Sequence, residues 1–236
     1  MTTPQAERRI TRACAIFSVT DSFVTLRGVD GAGLARQARG PVTFQLTGIG
    51  SGPARRSLVP GWTLPVTQGT SGAFISYGII AGPSGRQSRP TGPPLAVDVT
   101  VTGPAYRPTS LAGLRLVNLD PAQPSTPVVP VPVQLAPGYG YPFPATPAGY
   151  SLVRGEVRTG PGGAGVGEAQ VTGTAAAGNW SDTYITDGTG QWVFAIPDAG
   201  AGRITFTARD PAGATDSATV TITASTTIAV PVLIPH

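Results

Sequence analysis

The chain has 236 residues, of which 32 are Gly and 25 are Pro; 40% are hydrophobic, 12% are charged, and the formal net charge is +4. All sixteen basic residues are Arg, which excludes lysine-based chemistry from Schiff bases to a P-loop phosphate clamp. A single Cys and a single His, Cys14 and the terminal His236, exclude a multi-Cys/His zinc site, an intrachain disulfide and a Ser-His-Asp triad set inside the fold.

Residues 1–12 read as an arm. Gln5 to Arg12 holds one short helical candidate; Ala32 to Gln37 is a second, but Gly31, Gly33 and Gly40 around it favour a loop. Ala13 to Val19 is apolar but too short for a signal-peptide core, so no export signal is expected, and no stretch approaches the 18 apolar residues of a membrane span. Cys14, inside that run, is expected to be a buried small hydrophobe. Strict alternation then marks strands at Val42–Leu46, Val97–Thr102, Ile204–Ala208 and Ala218–Ala224. Period-two patterning sends one set of side chains into a core and the Thr set outward. Gly, Pro, Asp and Asn punctuate these runs at short spacing, as in a sandwich or barrel. Gly28 to Gly40, Gly50 to Val59 and Ala81 to Pro94 read as loop insertions. The alternate prolines of Val128 to Leu135 strip donors from one side of a strand and place it at a sheet edge.

The reading that results is all-β: two tandem β-sandwich domains, transthyretin- or immunoglobulin-like, over residues 13–137 and 151–236. A Pro/Gly/Tyr-rich connector over 138–150 joins them. Residues 151–236 are expected to fold when expressed alone. Tyr139, Tyr141, Phe143 and Tyr150 make the connector more aromatic than a solvated linker needs. They either pack between the domains or form an exposed docking strip for a partner or sugar. Charge divides at the same place: residues 1–150 carry 12 Arg against 5 acids, net +7, and residues 151–236 carry 4 Arg against 7 acids, net −3. The basic half can face an acidic surface, a neighbouring copy's second half included. The arginines are scattered and no recognition motif accompanies them, so nucleic acid is not an expected partner.

In the second half the order Leu152-Val-Arg-Gly155-Glu-Val157, Glu168-Ala-Gln-Val171, then Thr186-Asp187-Gly188-Thr-Gly190-Gln-Trp192-Val-Phe194 resembles the carboxypeptidase regulatory-like domain, a small transthyretin-like sandwich. Glu168 stands where that family usually has Gly. The resemblance implies a non-catalytic, rigid appendage. In physical terms Asp187 is expected to accept from the amides of its turn, Gly188 and Gly190 to supply positive φ, and Trp192 and Phe194 to enter the core with Val193 opposite. The first half looks like a diverged copy. Ser71-Gly72-Ala-Phe74 parallels Gly190 to Phe194, and Val128 to Pro137 parallels Ile228 to Pro235.

Asp182, Asp187 and Asp198 fall in loops without an Asp-x-Asp-x-Asp-Gly spacing, so no metal site is expected. Glu156 and Glu168 lie on neighbouring strands, but nothing places them in a cleft as a glycosidase pair. No catalytic residue or cofactor is expected. Two functional classes remain. One is a structural or adaptor protein of a large assembly (a phage tail, a contractile injection particle or a similar filament), assembled in the cytoplasm with other subunits or its own copies as partners. It would dock by Arg55, Arg56, Arg86 and Arg89 of the basic domain. The other is an extracellular or cell-surface module binding carbohydrate or protein, with the connector aromatics and Trp180 as its candidates.

Overall fold

The computed structural model describes residues 13–23, 38, 40–69, 72–120, 122–143 and 149–235. The helical candidates at 5–12 and 32–37, and most of the Gly28–Gly40 insertion, lie outside the described residues. The chain divides into two compact units. The first takes in the described residues up to Asp21, from residue 38 to Pro104, and Pro108–Leu135; the second takes in Ser22, Phe23, Ala105–Arg107 and the described residues from Ala136 onward. No helix among the described residues is long and apolar enough to cross a membrane.

The first unit is built from β1 (Ala15–Asp21), β2 (Thr43–Ile49), β3 (Arg56–Ser57), β4 (Val66–Gln68), β5 (Phe74–Ser76), β6 (Ile80–Ala81), β7 (Gln87–Ser88), β8 (Leu95–Gly103), β9 (Tyr106–Leu116, from Pro108 onward) and β10 (Val131–Leu135). They form sheets of order β10-β1-β5-β4 and β3-β2-β8-β9, with a β6-β7 hairpin. The alternation read in the sequence sets which residues meet. Phe17 of β1 and Phe74 of β5 reach from one sheet to Phe44 of β2 in the other, with ring centroids 4.5 Å and 5.7 Å apart. Leu46, Val97, Val99, Val101 and Leu135 fill the space around them, each at most 2% exposed. Cys14 is fully buried, as expected. Burial pushes its thiol upward, and Arg89 only partly offsets this.

The second unit holds β11 (Tyr150–Glu156), β12 (Gln170–Ala175), β13 (Ser181–Ile185), β14 (Gln191–Pro197), β15 (Gly202–Arg209), β16 (Thr215–Ile222) and β17 (Thr227–Ala229). Its sheets have the order β14-β11-β17 and β13-β12-β15-β16. Trp192, Phe194, Phe206 and Ile204 are fully buried, and Phe206 lies 5.1 Å from Trp192 and 5.7 Å from Phe194. Directly across the β11–β14 pair, Gly155 faces Trp192. A Cβ on Gly155 would lie 2.2 Å from the indole Cζ2, so only Gly fits under this ring. Gly155→Ala is therefore expected to cost about 1–3 kcal/mol of stability through overpacking. Measured by chemical denaturation, Trp192→Leu in the same background should recover part of that loss; an unchanged midpoint for Gly155→Ala would refute the register.

The two units share one connectivity. In each, the first strand pairs antiparallel with the strand carrying the Phe motif (β1 with β5, β11 with β14). It also pairs parallel with the last (β1 with β10, β11 with β17). The opposite sheet repeats as well, β3-β2-β8-β9 against β13-β12-β15-β16, with β4, β6 and β7 added in the first unit. β10 and β17 are both edge strands; Pro132 removes a donor from β10, as expected, whereas Pro231 and Pro235 of the second Val/Pro segment lie beyond β17.

Three expectations change. The connector over 138–150 is not free-standing where it is described: residues 136–143 and 149–150 belong to the second unit, and Tyr150 opens β11. Two of its four aromatics are not part of an exposed strip either. Tyr141 and Tyr150 are 5% and 0% exposed, gathered on Phe23 at centroid distances of 5.2 Å and 4.9 Å. A piece cut at residue 151 would lose this cluster. Finally, Gly188 has no positive φ, whereas Gly190 does, at 78°. The carboxylate of Asp187 already closes the turn, and only Gly190, whose Cβ would sit 2.3 Å from the Val157 carbonyl, needs to be glycine.

Candidate functional site

The carboxylates are used mainly to hold loops. Asp187 Oδ1 accepts from the Thr189 amide at 2.8 Å, the Thr189 hydroxyl at 2.6 Å and the Gln191 amide at 3.1 Å. Partial burial would raise its pKa, but these hydrogen bonds outweigh burial and hold the group below the usual carboxylate range. A depressed pKa adds stability above the unfolded value near pH 4, and that stability is lost as pH falls through the folded pKa. Asp187→Ala is expected to cost about 1 kcal/mol at neutral pH, because the turn is exposed. Parallel urea titrations should show the gap from the native protein shrinking below about pH 4; a gap independent of pH would refute the assignment. Asp198, Asp210 and Asp216 likewise accept from the amides of Ser225, Ala214 and Ile234. Among the described residues no group of three His, Cys, Asp or Glu is placed to hold a metal ion.

The four arginines expected to dock separate into two kinds. Arg89 donates to the Asn118 carbonyl at 3.2 Å beside Cys14. Arg55 pairs with Asp98, Nε to Oδ2, at 2.6 Å. Arg56 on β3 and Arg86 at the β6-β7 turn are exposed, and no ion pair involves them among the described residues. On the second unit, Tyr139 and Phe143 are half-buried under the Arg154 guanidinium, at 5.1 Å and 5.9 Å. Trp180 meets Phe194 edge-on at 5.5 Å.

The structure gathers a site that the linear pattern did not reveal. In the first unit a cleft of about 550 Å³ is lined by Gly50, Ser51, Gly52, Arg55, Pro94, Ala96, Asp98, Ala112, Gly113 and Arg115. Asp98 sits in the alternating strand β8 at a position that alternation would turn outward with Thr100 and Thr102, yet it is only 7% exposed. Its Oδ1 accepts from the Gly113 amide at 2.8 Å and its Oδ2 from Arg55. Gly48 lies opposite Asp98 across β2 and β8, and a Cβ there would come within 2.2 Å of Oδ2. A glycine inside an alternating strand was the sequence signal for this close approach. Arg115, on β9, was not singled out; it is exposed and lines the same cleft.

A family model described as a bacterial Ig domain matches residues 157–223, inside the second unit. No curated protein matches the chain. Three solved structures share 10% identity with it. The Bacillus anthracis TIE protein covers 92% of this chain with a TM-score of 0.30, and this chain spans 33% of its length. The shaft pilin SpaA from Lactobacillus rhamnosus GG covers 94% of this chain and 97% of its own, with a TM-score of 0.26. BcpA, the major pilin subunit of Bacillus cereus, covers 81% of this chain and 55% of its own, with a TM-score of 0.25. At such values these likenesses add nothing to the functional reading. The fold is all-β, with immunoglobulin-like β-sandwich architecture.

Proposed function

We propose that this chain is a non-catalytic structural or adaptor module that works at a surface by binding other protein subunits. The observation that carries the reading is how the charged groups divide. Acids in the loops are consumed in turns and pairs, while the first unit leaves Arg56, Arg86 and Arg115 exposed. An exposed guanidinium on a rigid sandwich suits bidentate recognition of a partner carboxylate. Within this reading the second unit is the rigid appendage that the carboxypeptidase regulatory-like resemblance implies, and the first is a diverged copy, which the shared connectivity supports. The setting is the cell surface: tandem sandwiches, the lack of a catalytic set and half charges of opposite sign, which suggested a phage-tail or injection particle, suit a surface module equally well. Carbohydrate is the weaker partner, because Tyr141 and Tyr150 present no open ring face. Sedimentation of native material tests the proposal. Recovery with a cell-surface or multi-subunit fraction is the expected result, and recovery as a free monomer would overturn it.

A further inference from the structure

We infer that the cleft around Arg55, Asp98 and Arg115 is a preformed seat for a carboxylate, supplied by an acidic segment of a partner protein. This rests on the proposed role as a binding module and identifies where that binding is centred. The cleft has the size of a binding site rather than a packing defect, at about 550 Å³. Two arginines and one buried carboxylate line it, leaving a local charge of +1. Asp98 is committed on both oxygens, to the Gly113 amide and to Arg55 Nε. The pair engages Nε alone, so the Arg55 side chain is held in place while remaining 57% exposed, with its terminal nitrogens still available to donate. Arg115 supplies the second fork from β9, and the two can hold one carboxylate between them. Holding Arg55 by Asp98 before the ligand arrives lowers the ordering cost of binding. Pro94, Ala96 and Ala112 give the cleft apolar walls suited to a peptide chain on either side of the charged residue.

The test is titration of the full chain with an acetylated hexaglutamate peptide, followed by amide NMR and by isothermal calorimetry across a salt series. Shifts are expected at residues 50–55, 94–98 and 112–115, with affinity falling as salt rises. Arg115→Gln should weaken binding about tenfold or more, and Arg55→Gln/Arg115→Gln should abolish it. Arg115 is exposed and holds no side-chain hydrogen bond or ion pair among the described residues, so Arg115→Gln should leave the melting temperature unchanged and report on binding alone. Equal binding of inorganic phosphate, or binding of galacturonate in place of the peptide, would overturn the assignment to a protein partner. No shift at the cleft, or wild-type affinity in Arg115→Gln, would overturn the site. If the native protein still sediments with an assembly after such a result, the cleft alone has failed and the binding-module reading stands.

Discussion

Phe194→Ala should lower the stability of the second unit by about 3–5 kcal/mol, a large share of the roughly 5–15 kcal/mol available to a domain. Phe194 is fully buried and is the hub of the aromatic core. Its ring lies 5.5 Å from Trp192, 5.5 Å from Trp180, 6.1 Å from Tyr184 and 5.7 Å from Phe206. These residues come from β13, β14, β15 and the loop before β13, so the cavity left by Ala cannot collapse by moving one strand. Differential scanning calorimetry should place the second unit's transition roughly 15 °C or more below the native one. An unchanged melting temperature would mean that Phe194 is not in the core.

The second large effect is expected at Arg107. It belongs to the second unit although the motif that marks that unit begins about 45 residues later in sequence. Its side chain is 17% exposed and spends every arm of the guanidinium. Nε donates to the Pro137 carbonyl at 3.1 Å, one terminal nitrogen to Asp182 Oδ2 at 2.9 Å and the Thr183 carbonyl at 3.1 Å, and the other to the Val193 carbonyl at 3.2 Å. The plane also lies over the rings of Tyr184 and Phe194, at 4.6 Å and 5.3 Å. Thr183 is on β13 and Val193 on β14, edge strands of opposite sheets, so one side chain ties the open side of the sandwich. Arg107→Ala is expected to cost about 2–4 kcal/mol, from charge-assisted hydrogen bonds and cation–π contact. The Asp182 pair contributes little of this, because its carboxylate is 44% exposed and can be hydrated. Arg107→Lys should recover less than half, since a point charge cannot serve carbonyls on two strands at once. Urea denaturation of Arg107→Ala, Arg107→Lys and Asp182→Asn decides this; equal stability of Arg107→Lys and the native protein would refute the bridging role.

Several local features were legible because their causes are local. The Asp187 turn, Gly190, the Trp192 and Phe194 core positions and the β10 edge follow from turn chemistry, side-chain alternation and the missing Pro132 donor. Val193 shows the limit of that reasoning. It does lie opposite Trp192 and Phe194, but at 1% exposed it is buried too. β14 is covered on both faces, and alternation predicts only which way a side chain points.

What the sequence by itself determined is the fold class and the absence of lysine or paired-Cys chemistry. These depend on composition and on period-two patterns within single strands. Only the tertiary structure decided where the second unit begins, because Phe23 and Arg107 join it from far upstream, and that Arg89 and Arg55 are already engaged. The Arg55–Asp98–Arg115 cleft was settled at the same level. Its charges come from positions 55, 98 and 115, which are brought together only when β2, β8 and β9 pair. A buried Asp98 is affordable only because Arg55 and the Gly113 amide satisfy it and Gly48 makes room, and no linear spacing encodes those three conditions together.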